Sequence, residues 1–238
     1  MDGHEAGVEV DTMPSLGFTA EIEKAVEGNG SLRDALYSLV LFGSYVRGDY
    51  VPGLSDLDFL AVLRWPADEA MRELKAVLEG ATRDLRPKLV DLPWALVDEV
   101  RDPLNKGYPF KFLTFYQRDF LDHHVVVYGE EVAPLIPRLD SYHLAMWRAE
   151  SMLGNLERFR GNLEMMKLQA GEAARFLAVV GGARDISKGA ILRALRELGD
   201  AEALAIYEDY VQGSEENRPE EFYKGFIESR LRRFLYDS

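Results

Sequence analysis

The chain has 238 residues, enough for one large or two modest domains, and 47% of them are apolar, enough to build buried cores. A formal charge of −13 argues against a polyanionic partner, because nucleic-acid binding draws on basic patches that release counterions from phosphates, and the absence of cysteine excludes disulfides, thiol catalysis and thiolate metal sites. No segment is long and apolar enough to span a bilayer and no signal-peptide pattern is present, so a cytoplasmic protein without membrane contact is expected.

The first dozen residues, rich in Gly, Glu and Asp, read as a loose end. A helix is expected over Phe18 to Glu27, followed by a helical or coiled lead from Leu32. The lead runs into the apolar segment Leu39-Val40-Leu41-Phe42, which stops at Gly43 as a buried strand does when it feeds a tight turn. A glycine there lets the backbone approach a ligand closely. The free N–H groups of a following helical turn, together with the Ser44 hydroxyl, favour phosphate oxygens. Gly43 and Ser44 are therefore phosphate candidates. Arg47 either stands over the same phosphates or pairs with a surface carboxylate, and Gly48 serves the backbone.

Residues Ser55 to Leu63 read as a second strand, in which period-2 alternation sets Asp56 and Asp58 on one face. Two neighbouring carboxylates repel each other unless a cation lies between them, and hard oxygen donors of this kind suit Mg²⁺, which also bridges to substrate phosphates. The residues thus point to a nucleoside triphosphate site with one or two Mg²⁺ ions beside it. A helical stretch follows from Asp68 to Arg83, then a loop around Pro87 and a third strand at Lys88 to Leu92. Pro93 cannot donate to a ladder, so that strand must lie at an edge or bend there.

Phe110 to Leu121 is read as an aromatic-rich helix and Val125 to Tyr128 as an edge strand, with a short helix ending at Pro137. His123 and His124 lack a third ligand at metal spacing and are read as loop or core histidines. After Asp140 only helical periodicity remains, over Leu144 to Phe159, Leu163 to Val180, Ser187 to Leu198, Ala201 to Val211 and Pro219 to Leu235. Short Gly-containing breaks separate these segments, as in an antiparallel bundle. The expected division is 1–138 for an α/β (α+β) domain with a small mixed sheet and 139–238 for an all-α bundle. Five Asn and three Gln beside the missing Cys form a bias seen in heat-adapted proteins.

Gly43-Ser44, eleven further residues and Asp56-Leu57-Asp58-Phe59 together resemble the signature of the DNA polymerase β nucleotidyltransferase superfamily. The Gly-Ser-x-x-Arg-Gly form and the Ser-Asp-Leu-Asp run are similar to its small-substrate branches in prokaryotes, the aminoglycoside and the minimal nucleotidyltransferases. The resemblance covers residues 38 to 100. It implies a third carboxylate on the next strand, serving as a metal ligand or as a base toward an acceptor hydroxyl; Asp91 is the natural candidate and Asp98 the fallback. It also implies that a lysine of the helical part can reach the phosphates. Lys188 is the candidate, against the alternative of a solvated lysine behind an Asp185 or Ser187 N-cap.

The expected reaction is transfer of a nucleoside monophosphate, AMP from ATP foremost, from a triphosphate to a hydroxyl of a small-molecule or protein acceptor, with Asp56, Asp58 and Asp91 as the acidic set. In nucleotidyltransferases of similar architecture the helical part also builds a homodimer. Tyr116, Tyr142, Trp147 and Glu150 are read as bundle core or helix surface rather than pocket wall. The competing reading is a catalytically idle nucleotide- or partner-binding module of antitoxin or scaffold type.

Overall fold

The computed structural model describes residues 16–103, 116–183, 185–213 and 218–236. The loose N-terminal dozen and residues 110–115 of the expected aromatic helix lie outside them. Helix α1 (Gly17–Gly28) is followed directly by α2 (Gly30–Ala35), whose first turn is capped by the Asn29 side chain accepting from the N–H groups of Ser31 and Leu32. Strand β1 (Leu36–Phe42) starts three residues before the apolar run that announced it. Its Leu36 end pairs with Leu63 at the far end of the next strand, with an irregularity before Ser38.

Among the described residues the sheet has five strands, β1, β2 (Leu57–Leu63), β3 (Val90–Asp91), β4 (Trp94–Leu96) and β5 (His124–Gly129). β1 is antiparallel to β2 on one side and to β5 on the other, while β3 and β4 pair one after the other with β2 in parallel. The sheet is therefore mixed. Pro93 explains the split edge. Lacking an N–H, it interrupts donation between Asp91 and Trp94, while its carbonyl still accepts from Ala61 N–H at 3.0 Å.

Period-2 alternation sorts the strands onto two cores. Leu39, Leu41, Leu57, Phe59, Ala61 and Leu63 pack with α1, α2 and α4 (Asp68–Ala81). Val40, Phe42, Leu60 and Val62 pack on the other face with Val100 of α5 (Val97–Arg101) and Phe120 of α6 (Gln117–Asp122). Asp58 shares its parity with Leu60 and Val62. Its side chain thus belongs to the α6 face, toward the helices that end the chain.

Those helices are α7 (Ser141–Asn155), α8 (Leu163–Val180), α9 (Lys188–Leu198), α10 (Ala201–Gln212) and α11 (Glu220–Tyr236). Side-chain caps from Asp140, Asn162, Ser187 and Asp200 open the first four. α7 begins three residues ahead of the expected Leu144 because Asp140 accepts from the N–H groups of Tyr142 and His143. α8 is the central helix. A Cβ on its Gly171 would overlap the ring of Tyr210, so α8 and α10 cross at a point where only hydrogen fits. Fully buried Met166, Phe176, Ile191, Tyr207 and Ile227 fill this second core.

Candidate active site

Gly43 sits at φ 78°, ψ −153°, a region essentially reserved for glycine. A Cβ there would also overlap Oδ2 of Asp58 and lie 3.0 Å from its Cγ. The Gly43–Ser44 turn is thus folded directly against the Asp58 carboxylate. Helix α3 (Ser44–Arg47) is the single helical turn expected after Gly43, closed by Gly48 at φ 84°, and Gly48 does have the backbone role assigned to it.

Asp56 and Asp58 are half-buried while Leu57 and Phe59 between and after them are fully buried, as the alternation requires. Asp91 stands beside Asp58 as its register partner in the parallel β2–β3 ladder, just as Val90 stands beside Leu57. Asp98 lies elsewhere. It follows β4, which pairs with Ala61 to Leu63 at the opposite end of β2. Among the described residues no three or more His, Cys, Asp or Glu side chains converge as a metal site. The donor chemistry of the Asp58–Asp91 pair nevertheless suits Mg²⁺, which binds through one or two carboxylates and takes its remaining ligands from phosphate and water.

A cavity of about 60 Å³ opens over Asp58, and Gly43, Arg47, Tyr116, Asp119 and Arg175 help to line it. Arg47 pairs with carboxylates, as one reading of the sequence had it, but these are largely buried rather than at the surface. It faces the cavity, and its guanidinium is held by Asp119 at 2.7 Å and Asp49 at 3.3 Å. Asp119 also contacts Nδ1 of His123 at 3.2 Å. Burial raises its pKa above the usual carboxylate value, with Arg47 and His123 pulling the other way. His124 stacks on Phe120 and meets Glu131 at 2.9 Å.

Lys188 opens α9 and bridges the two halves of the chain. Its Nζ donates to the Asp49 carbonyl at 2.7 Å and the Ser55 hydroxyl at 2.8 Å, and its N–H donates to the Asp49 carboxylate at 2.9 Å. Burial lowers its pKa; Arg175 and Arg47 push in the same direction, whereas Asp49 and Asp58 oppose it. Arg47, Arg175 and Lys188 therefore bring three cations to the surroundings of Asp58, each also countered by a neighbouring carboxylate. Lys188→Met is expected to weaken ATP binding about tenfold, the value of one charge-assisted hydrogen bond. It should also lower the unfolding temperature by about 2–6 °C, because Ser55 and Asp49 lose a buried partner. Calorimetric titration and thermal unfolding of the variant check both numbers; unchanged affinity would remove Lys188 from the site.

Arg175 and Asp119 were missed in the sequence. Glu172 and Arg175 do interrupt a run of small and apolar residues on α8, and a charged pair at i, i+3 on a core-facing stretch was the available signal. Tyr116 was assigned to core or surface. It packs in the helical core and also lines the cavity. Tyr142 is half-exposed on a larger cleft, whereas Trp147 packs toward the sheet and Glu150 lies on the helix surface. This larger cleft, about 970 Å³, shares Asp119 and Ile186 with the cavity over Asp58 and is roomy enough for a second substrate.

A mixed sheet thus carries a Gly-Ser turn against Asp58 and its register partner Asp91. Residues 20–127 match the family of the nucleotidyltransferase domain, a match that supports a transferase. The whole fold is similar to that of spectinomycin adenyltransferase from Enterococcus faecialis, solved with ATP and spectinomycin. That match has a TM-score of 0.54 and 16% identity, and covers 90% of this chain and 98% of the other. No curated protein matches the chain. No helix among the described residues is long and apolar enough to cross a membrane.

Proposed function

We propose that this protein transfers AMP from ATP to a hydroxyl of a small-molecule or protein acceptor, releasing pyrophosphate in a Mg²⁺-dependent reaction. The observation that carries the reading is the contact of Gly43 with Asp58 in a cavity shared with Arg47 and Arg175. The turn brings backbone N–H groups and the Ser44 hydroxyl to phosphate oxygens. Arg47, Arg175 and Lys188 supply countercharge, and Asp58, with Asp91 beside it and Asp56 two residues before, would hold Mg²⁺. When bound, the ion neutralises charge on the transferring phosphoryl group and its leaving pyrophosphate.

The acceptor oxygen bonds to the α-phosphorus as the bond from that phosphorus to the α,β-bridging oxygen breaks, and pyrophosphate departs. The acceptor's proton passes to a carboxylate, for which Asp91 is the candidate beside its alternative role in holding the ion. The adjoining larger cleft is the place for the acceptor. The charge of −13 disfavours a nucleic acid there. Use of ATP is supported by the nucleotide in the spectinomycin adenyltransferase structure.

The test is calorimetric titration with ATP, GTP, CTP and UTP, with and without Mg²⁺, followed by a pyrophosphate-release assay over hydroxyl acceptors. Metal-dependent ATP binding with release in the presence of at least one acceptor is expected. Absence of triphosphate binding would overturn the proposal.

A further inference from the structure

Arg175 lines the cavity from the middle of α8, yet its guanidinium is almost wholly enclosed by other polar groups. Nη1 donates to Oε1 of Glu172 at 3.0 Å and to the Tyr116 hydroxyl at 2.9 Å, and the Tyr207 hydroxyl lies at 3.4 Å. The rings of Tyr116, Tyr207 and Tyr210 surround the cation at 5.5–5.7 Å. Glu172 in turn accepts from the Tyr210 hydroxyl at 3.1 Å, from the Tyr116 hydroxyl, and from Arg148 at 3.4 Å. One carboxylate is thus the hub of two arginines and two tyrosines.

The charge count of this hub is informative. Two guanidinium groups share a single carboxylate, and burial raises the pKa values of the three tyrosines, keeping them neutral. Within the hub the two guanidinium groups outnumber the carboxylate. Arg175 is the member of the hub that lines the cavity together with Gly43 and Asp58. Arginine side chains are otherwise rich in rotamers, and a fixed fork is what recognition of phosphate oxygens requires.

We propose that Glu172 is a positioning residue for the nucleotide site: it does not meet the triphosphate but fixes the guanidinium of Arg175 in the orientation that does. The inference rests on the proposed triphosphate site and goes beyond it by assigning a role to a residue outside the cavity. It also opposes simple electrostatics, since removing a carboxylate near a polyanion site should otherwise tighten binding.

The test is calorimetric titration with ATP and Mg²⁺ on wild type, Glu172→Gln, Arg175→Met and the double variant, with thermal unfolding alongside. Glu172→Gln is expected to weaken ATP binding about tenfold, the value of one charge-assisted hydrogen bond. In the Arg175→Met background the same substitution should change affinity less than about twofold, because the two residues act as a unit. Unchanged or tighter binding by Glu172→Gln overturns the proposal even if its unfolding temperature falls, as does an equal weakening in the Arg175→Met background. Should Glu172→Gln fail to fold, Tyr210→Phe removes one hydrogen bond to the hub at nearly constant volume. It is expected to weaken binding about threefold, on the order of half a neutral hydrogen bond's worth or more, and unchanged affinity there counts against the proposal. Wild type that binds no ATP defeats the triphosphate site itself, and this inference with it.

Discussion

Asp58→Asn is expected to lower nucleotide transfer by at least about 10³-fold while leaving the fold intact. The magnitude follows from what the carboxylate does in the proposed reaction. It is the acid lodged against the Gly43–Ser44 turn, and losing one preorganised electrostatic group at a transferring phosphoryl costs about 10²–10³ by itself. Loss of a metal-holding charge adds to that. Stability should be nearly indifferent. The substitution keeps the shape, relieves the repulsion between Asp58 and its register partner Asp91, and removes some of the countercharge around Lys188. These effects oppose each other, so the unfolding temperature is expected to stay within about 4 °C of wild type, on the order of 1 kcal/mol for a chain of this size. Pyrophosphate release and thermal unfolding on the same preparation decide the matter. Turnover within tenfold of wild type would remove Asp58 from the chemistry.

Gly43→Ala should damage both fold and reaction. The backbone at φ 78°, ψ −153° costs a residue with a Cβ about 1–3 kcal/mol, and the new methyl overlaps the Asp58 carboxylate, so Asp58 must swing aside. An unfolding temperature lower by about 2–10 °C is expected, with turnover reduced nearly as far as in Asp58→Asn. Gly199→Ala separates the two causes. Gly199 also has a positive φ, 68°, at the end of α9, but a Cβ there meets nothing within 4 Å. It should lose stability and keep its activity. If Gly43→Ala retains normal turnover, the close approach of turn and carboxylate is irrelevant to catalysis.

The parts of this molecule that could be read in advance are those governed by local pattern. Leu39 to Phe42 ending at Gly43, and Ser55 to Leu63 with its alternation, locate β1, β2 and the start of the turn between them because strand period and glycine conformation are properties of a few consecutive residues. The helix Leu163 to Val180 is found at its expected limits because Asn162 caps one end and Gly181 follows the other. Pro93 forecast the break in the sheet edge from a missing N–H alone. What stayed hidden depends on packing between distant segments. Nothing near Arg47 in sequence says that Asp119 will hold it, since the pair is 72 residues apart. Arg175 looks like one more charge on a helix until α8 is placed against α10, when its surroundings of three tyrosines and a carboxylate become apparent. Tyr116 was read as either core or surface, and it serves the core and the cavity wall together.

The Lys188 bridge carries a consequence for how the protein is made. Its ammonium is bound to the Asp49 carbonyl, 139 residues earlier in the chain. During synthesis the acids of the first strands leave the ribosome well before the arginine and lysine that balance them, and N-terminal segments generally begin to fold first. The nascent sheet therefore carries its carboxylates before Arg175 and Lys188 exist, and the site of the proposed reaction is complete only when α8 and α9 have emerged and docked. A chain cut short before α9 keeps its carboxylates but lacks the ammonium that ties Asp49 and Ser55 to the helical part.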